Sequence, residues 1–247
     1  MISKDELKRI AQGKGLSLYQ IEKEYLLKLF LYYFYKRYDD SVFKGGTCLK
    51  FLFGLDRFSE DIDFYVKNII EFKKQVKNTL KKIALVGINS AFKKEESFED
   101  SYTCEIAFQG PLYRRDSQSL NKFRIDAGYR TGMFTKPEWN ILRSEYPETS
   151  DNFLVLIMPP EEIMAEKVIT MINRNKGRDI YDLWFLIKAG YNIDKKLLKD
   201  KMKHEKVKLD LDKMTSKEDY ERDMKRLTRR ILPYEQVKRD ILRELEN

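Results

Sequence analysis

Hydrophobic positions recur along the chain with a period near 3.6 in some stretches and near 2 in others, and the changes of period mark element boundaries. Residues 4–12 carry a short helical pattern that ends at Gly13 and Gly15. Ser17 then offers a hydroxyl N-cap with Gln20 three residues on, the spacing of a capping box. The helix predicted from there to about residue 38 is rich in Leu, Phe and Tyr on several faces, so burial against a sheet is expected. Residues 42–66, VFKGGTCLKFLFGLDRFSEDIDFYV, read as a short strand, a Gly-Gly turn, one or two helical turns, a polar loop and a second strand. A Lys-rich amphipathic helix follows over residues 69–85. Residues 101–108 and 122–129 then alternate as strands, separated by a turn at Gly110-Pro111. Residues 152–158, NFLVLIM, are nearly all apolar and are expected to form a central strand. Pro159-Pro160 stops that strand and opens a helix, with Pro160 near its first position and Glu161 and Glu162 in the first turn, where acids suit the dipole. Helical pattern fills the remainder, so the best internal boundary falls at residues 159/160.

The chemistry concentrates in residues 42–66. Strand side chains alternate in direction, so Asp61 and Asp63 share one face while Ile62 and Phe64 take the other. Two carboxylates that close repel unless a positive charge lies between them, and a divalent cation such as Mg²⁺, held by carboxylates and substrate phosphates, answers that need. Gly45 and Gly46 let the backbone approach a ligand, the next helix's N–H groups favour an anion, and Thr47, Arg57 and Ser59 add phosphate-binding groups. Asp126 sits inside a strand-like segment and needs a partner or a metal if buried; Arg124 and Arg130 are the alternative partners. Asp116 is a second acidic candidate but lies in a loop-like context.

Residues 160–187, PEEIMAEKVITMINRNKGRDIYDLWFLI, read as two helices joined around Asn175-Lys176-Gly177. Ile163, Lys167, Thr170 and Arg174 fall on one face of the first, beside an apolar stripe of Met164, Val168, Met171 and Ile172. A cation at that edge needs a nucleotide phosphate or a salt bridge to Asp179 or Asp182, which are three apart on the second helix. Asp179 also fits a helix-start role without chemistry.

Composition adds three limits. The chain has 247 residues, enough to bury a sizeable core, and a formal charge of +8 that favours a polyanionic partner. Two cysteines make no disulfide framework, and one histidine, His204 in a charged run, excludes a histidine-rich metal site. No apolar signal region opens the chain and no apolar run approaches the ~20 residues of a membrane helix, so a cytoplasmic location without a membrane partner is expected. Residues 194–247 read as three charged helices, with Arg226, Arg229 and Arg230 as a basic edge.

The Gly-Gly turn followed by an acid-x-acid strand resembles the nucleotidyltransferase superfamily that includes DNA polymerase β. More narrowly, KGGTCL with RFSEDIDF, then AEK, an arginine seven residues beyond that lysine, and RD-x-YDL are similar to the AbiEii/AbiGii toxins, nucleotidyltransferases of type IV toxin–antitoxin and abortive-infection systems. The resemblance spans roughly residues 43–186 and leaves the tail uncovered. Gly45-Gly46-Thr47 departs from the superfamily's Gly-Ser, and the narrower family accepts both.

The resemblance implies an α+β fold: a polymerase-β-like core with a mixed sheet and N-terminal helices over residues 1–159, then a helical lobe over residues 160–247. It implies transfer of a nucleoside monophosphate from an NTP to an acceptor hydroxyl, the 3′ end of tRNA in some members, with Mg²⁺ and a cognate antitoxin. Carried over by motif, Asp61, Asp63, Lys167 and Asp182 are the active-site residues. Asp126 stands as a third carboxylate, for metal or for the acceptor's proton. Gly45, Gly46, Thr47, Arg57 and Ser59 would bind the triphosphate. Competing readings are a transferase that modifies a protein hydroxyl and a non-catalytic RNA-binding regulator on the same fold.

Overall fold

The computed structural model describes residues 1–149, 152–174 and 176–246. It divides into two compact units. The first comprises Met1–Leu52, Glu60–Tyr129 and Trp139–Ile157; the second gathers Phe53–Ser59, Arg130–Glu138 and Met158–Asn247. The helical unit thus begins close to residue 160 but also takes in two earlier segments, which no composition change announces. Asn175 and Asn247, which the sequence places in the helix junction and the tail, lie outside the described residues.

The first unit opens with α1 (Lys4–Lys14) and α2 (Leu18–Tyr35). Both start at capping boxes: Ser3 with Glu6, and Ser17 with Gln20. α1 passes through Gly13 and stops at Gly15, whose left-handed backbone lets its N–H close the last turn. β1 (Val42–Lys44) leads into α3 (Gly45–Phe53), then β2 (Ile62–Tyr65) and α4 (Ile69–Ala84). β3 (Ser90–Ser97), β4 (Ser101–Phe108), β5 (Asn121–Gly128), β6 (Glu138–Arg143) and β7 (Asn152–Ile157) complete a seven-stranded sheet of order β3-β4-β5-β2-β1-β7-β6. The sheet is mixed. β1 runs antiparallel to β2 and parallel to β7, while β2 runs parallel to β5.

Two strands escaped the sequence pattern. β3, SAFKKEES, is an exposed edge strand paired on one side only, and β6, EWNILR, buries Leu142 while exposing Trp139 and Ile141. Neither has the clean alternation that burial of one face would impose. β7 is not central: it lies next to the edge strand β6, and its Leu154 is 55% exposed. An apolar run records the strand; it does not record the strand's rank in the sheet.

The core forms where α2 and α4 meet the strands. Phe34 lies 5.1 Å from Phe64 and 5.8 Å from Phe72, ring centre to ring centre, and Phe30 lies 5.9 Å from Phe123. Each such fully buried aromatic contributes about 1.5–3 kcal/mol of transfer free energy. Ile62 and Phe64 point into this core. Period-2 alternation therefore turns Asp61 and Asp63 to the opposite face.

The second unit contains α5 (Pro160–Asn173), α6 (Gly177–Lys188), α7 (Lys195–Glu205), α8 (Lys217–Leu227) and α9 (Tyr234–Glu246). Pro160 occupies the start of α5, with Glu161 and Glu162 in its first turn. α6 begins where Gly177 meets α8, and a Cβ there would come within 2.5 Å of the Tyr220 Cα, so only glycine permits the approach. The Asp223 carboxylate accepts from the Gly177 N–H at 2.9 Å and caps that end of the helix. Segment 130–138 is held by a buried ion pair. Glu162 accepts from Lys201 at 2.5 Å, from the Thr135 N–H at 2.9 Å and from the Thr135 hydroxyl at 2.8 Å.

Candidate active site

In the first unit the β1–α3 junction and the β2 strand lie side by side. Lys44 is paired with Asp63 across the antiparallel β1–β2 ladder. Gly45 takes a left-handed φ of 77°, and a Cβ at that position would fall on the Asp63 carboxylate, with its Cγ at 2.9 Å. Asp63 is thus held against the first residue of α3, where the helix N-terminus favours negative charge. Gly46 follows, buried. The Thr47 hydroxyl, expected to meet phosphate, is buried and donates to the Asp61 main-chain carbonyl, which fixes α3 to the residue before β2.

The parallel β2–β5 ladder places Asp63 opposite Asp126. Asp61, Asp63 and Asp126 are therefore brought together at neighbouring positions of two strands. Arg124 lies among them: its main-chain N–H donates to Asp61 Oδ1 at 3.3 Å and its Nε donates to Asp126 Oδ2 at 2.8 Å. Burial lowers the Arg124 pKa, but Asp126, Asp61 and Asp63 outweigh it and hold the guanidinium firmly charged. The Thr103 hydroxyl donates to the other oxygen of Asp126 at 2.6 Å. The arginine named in the sequence as an alternative partner of Asp126 is thus its partner here. Asp116 caps a short 3₁₀ turn, accepting from the N–H groups of Gln118 and Ser119.

Among the described residues no three His, Cys, Asp or Glu side chains are gathered tightly enough to hold a metal ion by themselves. Asp61 and Asp63 nonetheless fit a hard divalent cation of the Mg²⁺ kind, which needs one or two carboxylates and takes its remaining ligands from water and phosphate. Both are oxygen donors, half-exposed on one face of the strand.

The second unit carries a buried charge network. Arg57 donates from Nε to Asp182 Oδ1 at 2.6 Å and from Nη2 to Asp182 Oδ2 at 2.7 Å, and its Nη1 donates to the Phe58 carbonyl at 2.9 Å. Lys167 reaches Asp182 Oδ2 at 2.7 Å and Asp179 Oδ1 at 2.8 Å. Arg174 donates from Nε to Asp179 Oδ2 at 2.9 Å. Next to the Arg57–Asp182 pair, the Tyr181 hydroxyl donates to Asp56. Burial pushes the Asp182 pKa up, but Arg57 and Lys167 more than offset it and keep the carboxylate ionised; Lys167 and Arg174 do the same for Asp179. Burial also works against the Lys167 charge, and the two aspartates hold its pKa above the ordinary value.

Arg57, expected at the triphosphate, thus commits the Nε–Nη2 edge of its guanidinium to Asp182 and Nη1 to the Phe58 carbonyl, and is 2% exposed. Ser59 is buried in the same unit. Asp179, readable from sequence as a bare helix start, is fully buried and binds Lys167 and Arg174. Its signal in the sequence was the i,i+3 spacing to Asp182. His204 turns Nε2 toward the Arg130 carbonyl at 3.1 Å, a structural contact.

A mixed sheet with a Gly-Gly helix start beside an Asp-x-Asp strand defines the nucleotidyltransferase class, and comparison with known proteins narrows it. The family model described as nucleotidyl transferase AbiEii toxin, type IV TA system, matches residues 30–246, and the chain belongs to this family. The fold is shared with the nucleotidyltransferase toxin MenT4 of Mycobacterium tuberculosis H37Rv, at 17% identity and a TM-score of 0.71 over 99% of this chain and 88% of that one. It is also shared with JHP933 from Helicobacter pylori, at 23% identity and a TM-score of 0.63 over 94% and 92%. No curated protein of matching sequence was found. Membership makes the chain a nucleotidyltransferase of a toxin–antitoxin system, with an NTP substrate and an antitoxin as partner. Among the described residues no helix is long and apolar enough to cross a membrane.

Proposed function

We propose that this nucleotidyltransferase transfers a nucleoside monophosphate from an NTP to the 3′-terminal hydroxyl of tRNA, in the cytoplasm and with Mg²⁺, under the control of a cognate antitoxin. The observation that carries the reading is the Asp61-x-Asp63 strand end held against the Gly45 start of α3. In the transfer the acceptor oxygen forms a bond to the α-phosphorus while the bond from that phosphorus to the bridging oxygen breaks, and pyrophosphate leaves with the electron pair. Asp126 would take the hydroxyl proton, or would lend an oxygen to a metal held chiefly by Asp61 and Asp63. Mg²⁺ held by Asp61 and Asp63 would neutralise charge on the attacking and leaving oxygens. Gly45, Gly46, Thr47 and Ser59 belong to the triphosphate site, where N–H groups at a helix start receive phosphate oxygens. By the family pattern Lys167 serves the same reaction, with Asp182 holding its ammonium. Arg57 acts through Asp182. The formal charge of +8 favours an RNA acceptor over a protein hydroxyl.

The test is incubation with each α-labelled NTP, Mg²⁺, total tRNA and total protein. Label on tRNA with one NTP is expected; label confined to protein would replace the acceptor, and no label on either would overturn the reading.

A further inference from the structure

α2 carries an unusual load of charge for a buried helix: Glu22, Lys23, Glu24 and Lys28 are all buried. Glu24 and Glu145 together face three lysines. Lys14 binds both carboxylates. Lys28 reaches Glu145 at 2.7 Å and lies 3.9 Å from Glu24. Among the described residues the carboxylate that Lys50 meets is Glu24, at 3.6 Å, beyond hydrogen-bond length. Three cations thus share two anions. A surplus positive charge in a partly desolvated cluster costs free energy unless an anion from outside completes it.

Lys14, with a side chain 37% exposed, and Lys50 are where that surplus meets solvent, and Lys50 is the one without a close carboxylate. Its side chain is 15% exposed while that of Lys28 is 7% exposed and lies over the rings of Phe51 and Tyr146. Burial pushes the Lys50 pKa down; Glu24 offsets part of that, and Lys14 and Lys28 push it further down. Lys50 also stands one turn beyond Gly46 on α3, about 6 Å along the axis from the turn assigned to the NTP. On the near side, Glu60 precedes Asp61 and binds Lys23 at 2.8 Å. The cluster therefore adjoins the transfer residues of its own unit without containing any of them.

We propose that Lys50, with Lys14 beside it, is a phosphodiester subsite that holds the backbone of the acceptor nucleic-acid strand next to its reacting end. The inference rests on the reading of the acceptor as RNA and names a site for it. A phosphate between the two ammonium groups supplies the missing anion, and its ionic contact carries no sequence information.

The test is binding without NTP. A short fluorescein-labelled single-stranded RNA with a free 3′ end is titrated with the full-length chain at several salt concentrations, and affinity is read by fluorescence anisotropy. The wild type is compared with Lys50→Gln, Lys50→Arg and, as a charge-matched control, Lys74→Gln on exposed α4. The expected result is a several-fold weaker Kd for Lys50→Gln and a log–log salt slope smaller by about 0.7, the value for one single-strand phosphate contact. Lys50→Arg retains both, and Lys74→Gln leaves both unchanged. Equal affinity and slope for wild type and Lys50→Gln, with both melting alike, would overturn the subsite while leaving the transfer reading intact. An equal loss in Lys74→Gln would reduce it to general charge and overturn it too. Lys50-dependent binding in a protein that labels no tRNA would support the subsite and remove the transfer reading.

Discussion

Arg57 and Asp182, 125 positions apart in sequence, meet through two parallel hydrogen bonds of 2.6 and 2.7 Å inside the helical unit. Immediately beside them Asp56 and Tyr181 form a second pair with the polarity reversed, acid on the loop and donor on the helix. Two consecutive residues of segment 53–59 are thereby fastened to two consecutive residues of α6, and the strand bearing the paired aspartates begins just after that segment.

The Arg57–Asp182 pair makes a prediction about stability. Asp182 is fully buried, so Arg57→Ala leaves its carboxylate with Lys167 alone, a cation shared with Asp179, and should cost about 3 kcal/mol, the lower end for a broken buried pair. Arg57→Lys retains the charge but loses the two-point geometry, and should recover only part of the loss. Urea unfolding of the three proteins measures both. A loss below about 1 kcal/mol for Arg57→Ala would show that the pair is not needed for folding.

A glycine requirement follows at the β1–α3 junction. Gly45→Ala must adopt a φ of 77° and place its Cβ on the Asp63 carboxylate. The backbone alone costs about 1–2 kcal/mol, and displacement of Asp63 should reduce transfer more than it reduces stability. Thermal melting beside a transfer assay separates the two effects.

Acid should loosen the first unit by a known route. Burial raises the Glu145 pKa, but Lys28 and Lys14 outweigh it and bring the group from 4.5 to about 2. A carboxylate whose pKa is depressed on folding contributes stability that is complete above its unfolded value and is lost as pH falls through the folded one. Stability should therefore decline between about pH 4.5 and about pH 2, and Glu145→Gln should flatten that part of the curve. An unchanged slope in the variant would contradict the assignment.

The thiols should be silent. Cys48 and Cys104 are fully buried, and burial pushes the Cys104 thiol up to about 12 and the Cys48 thiol higher still. Neither should react with a thiol reagent near pH 8 until the chain is unfolded, when both titrate.

Much of this arrangement was legible in the sequence, for physical reasons that differ by element. The capping box at Ser17 is a local hydrogen-bond signal and the proline start of α5 a local backbone signal, and both fell where the sequence placed them. The direction of Asp61 and Asp63 followed from the two-residue period, because Ile62 and Phe64 had to face the core. The edges were less readable. β3 and β6 bury too little to imprint an alternating pattern, and β7 is apolar without being central. Long-range pairing left no local trace, so the commitment of Arg57 to Asp182 emerged only from the structure, whereas the salt bridge of Lys167 to Asp179 and Asp182 was among the partners that helical spacing offered. The assembly of the helical unit from three separate segments is likewise a tertiary fact with no compositional boundary.

The most direct test of the account is the rate at which the α-label of an NTP reaches tRNA in the wild type and in Asp63→Asn, an isosteric change that keeps the contact with Gly45 and removes the charge. Loss of charge should slow transfer by about a thousandfold, roughly 4 kcal/mol of barrier, with the fold's melting temperature little changed. Transfer by Asp63→Asn at the wild-type rate would contradict the assignment of the Asp61-x-Asp63 strand as the centre of the reaction.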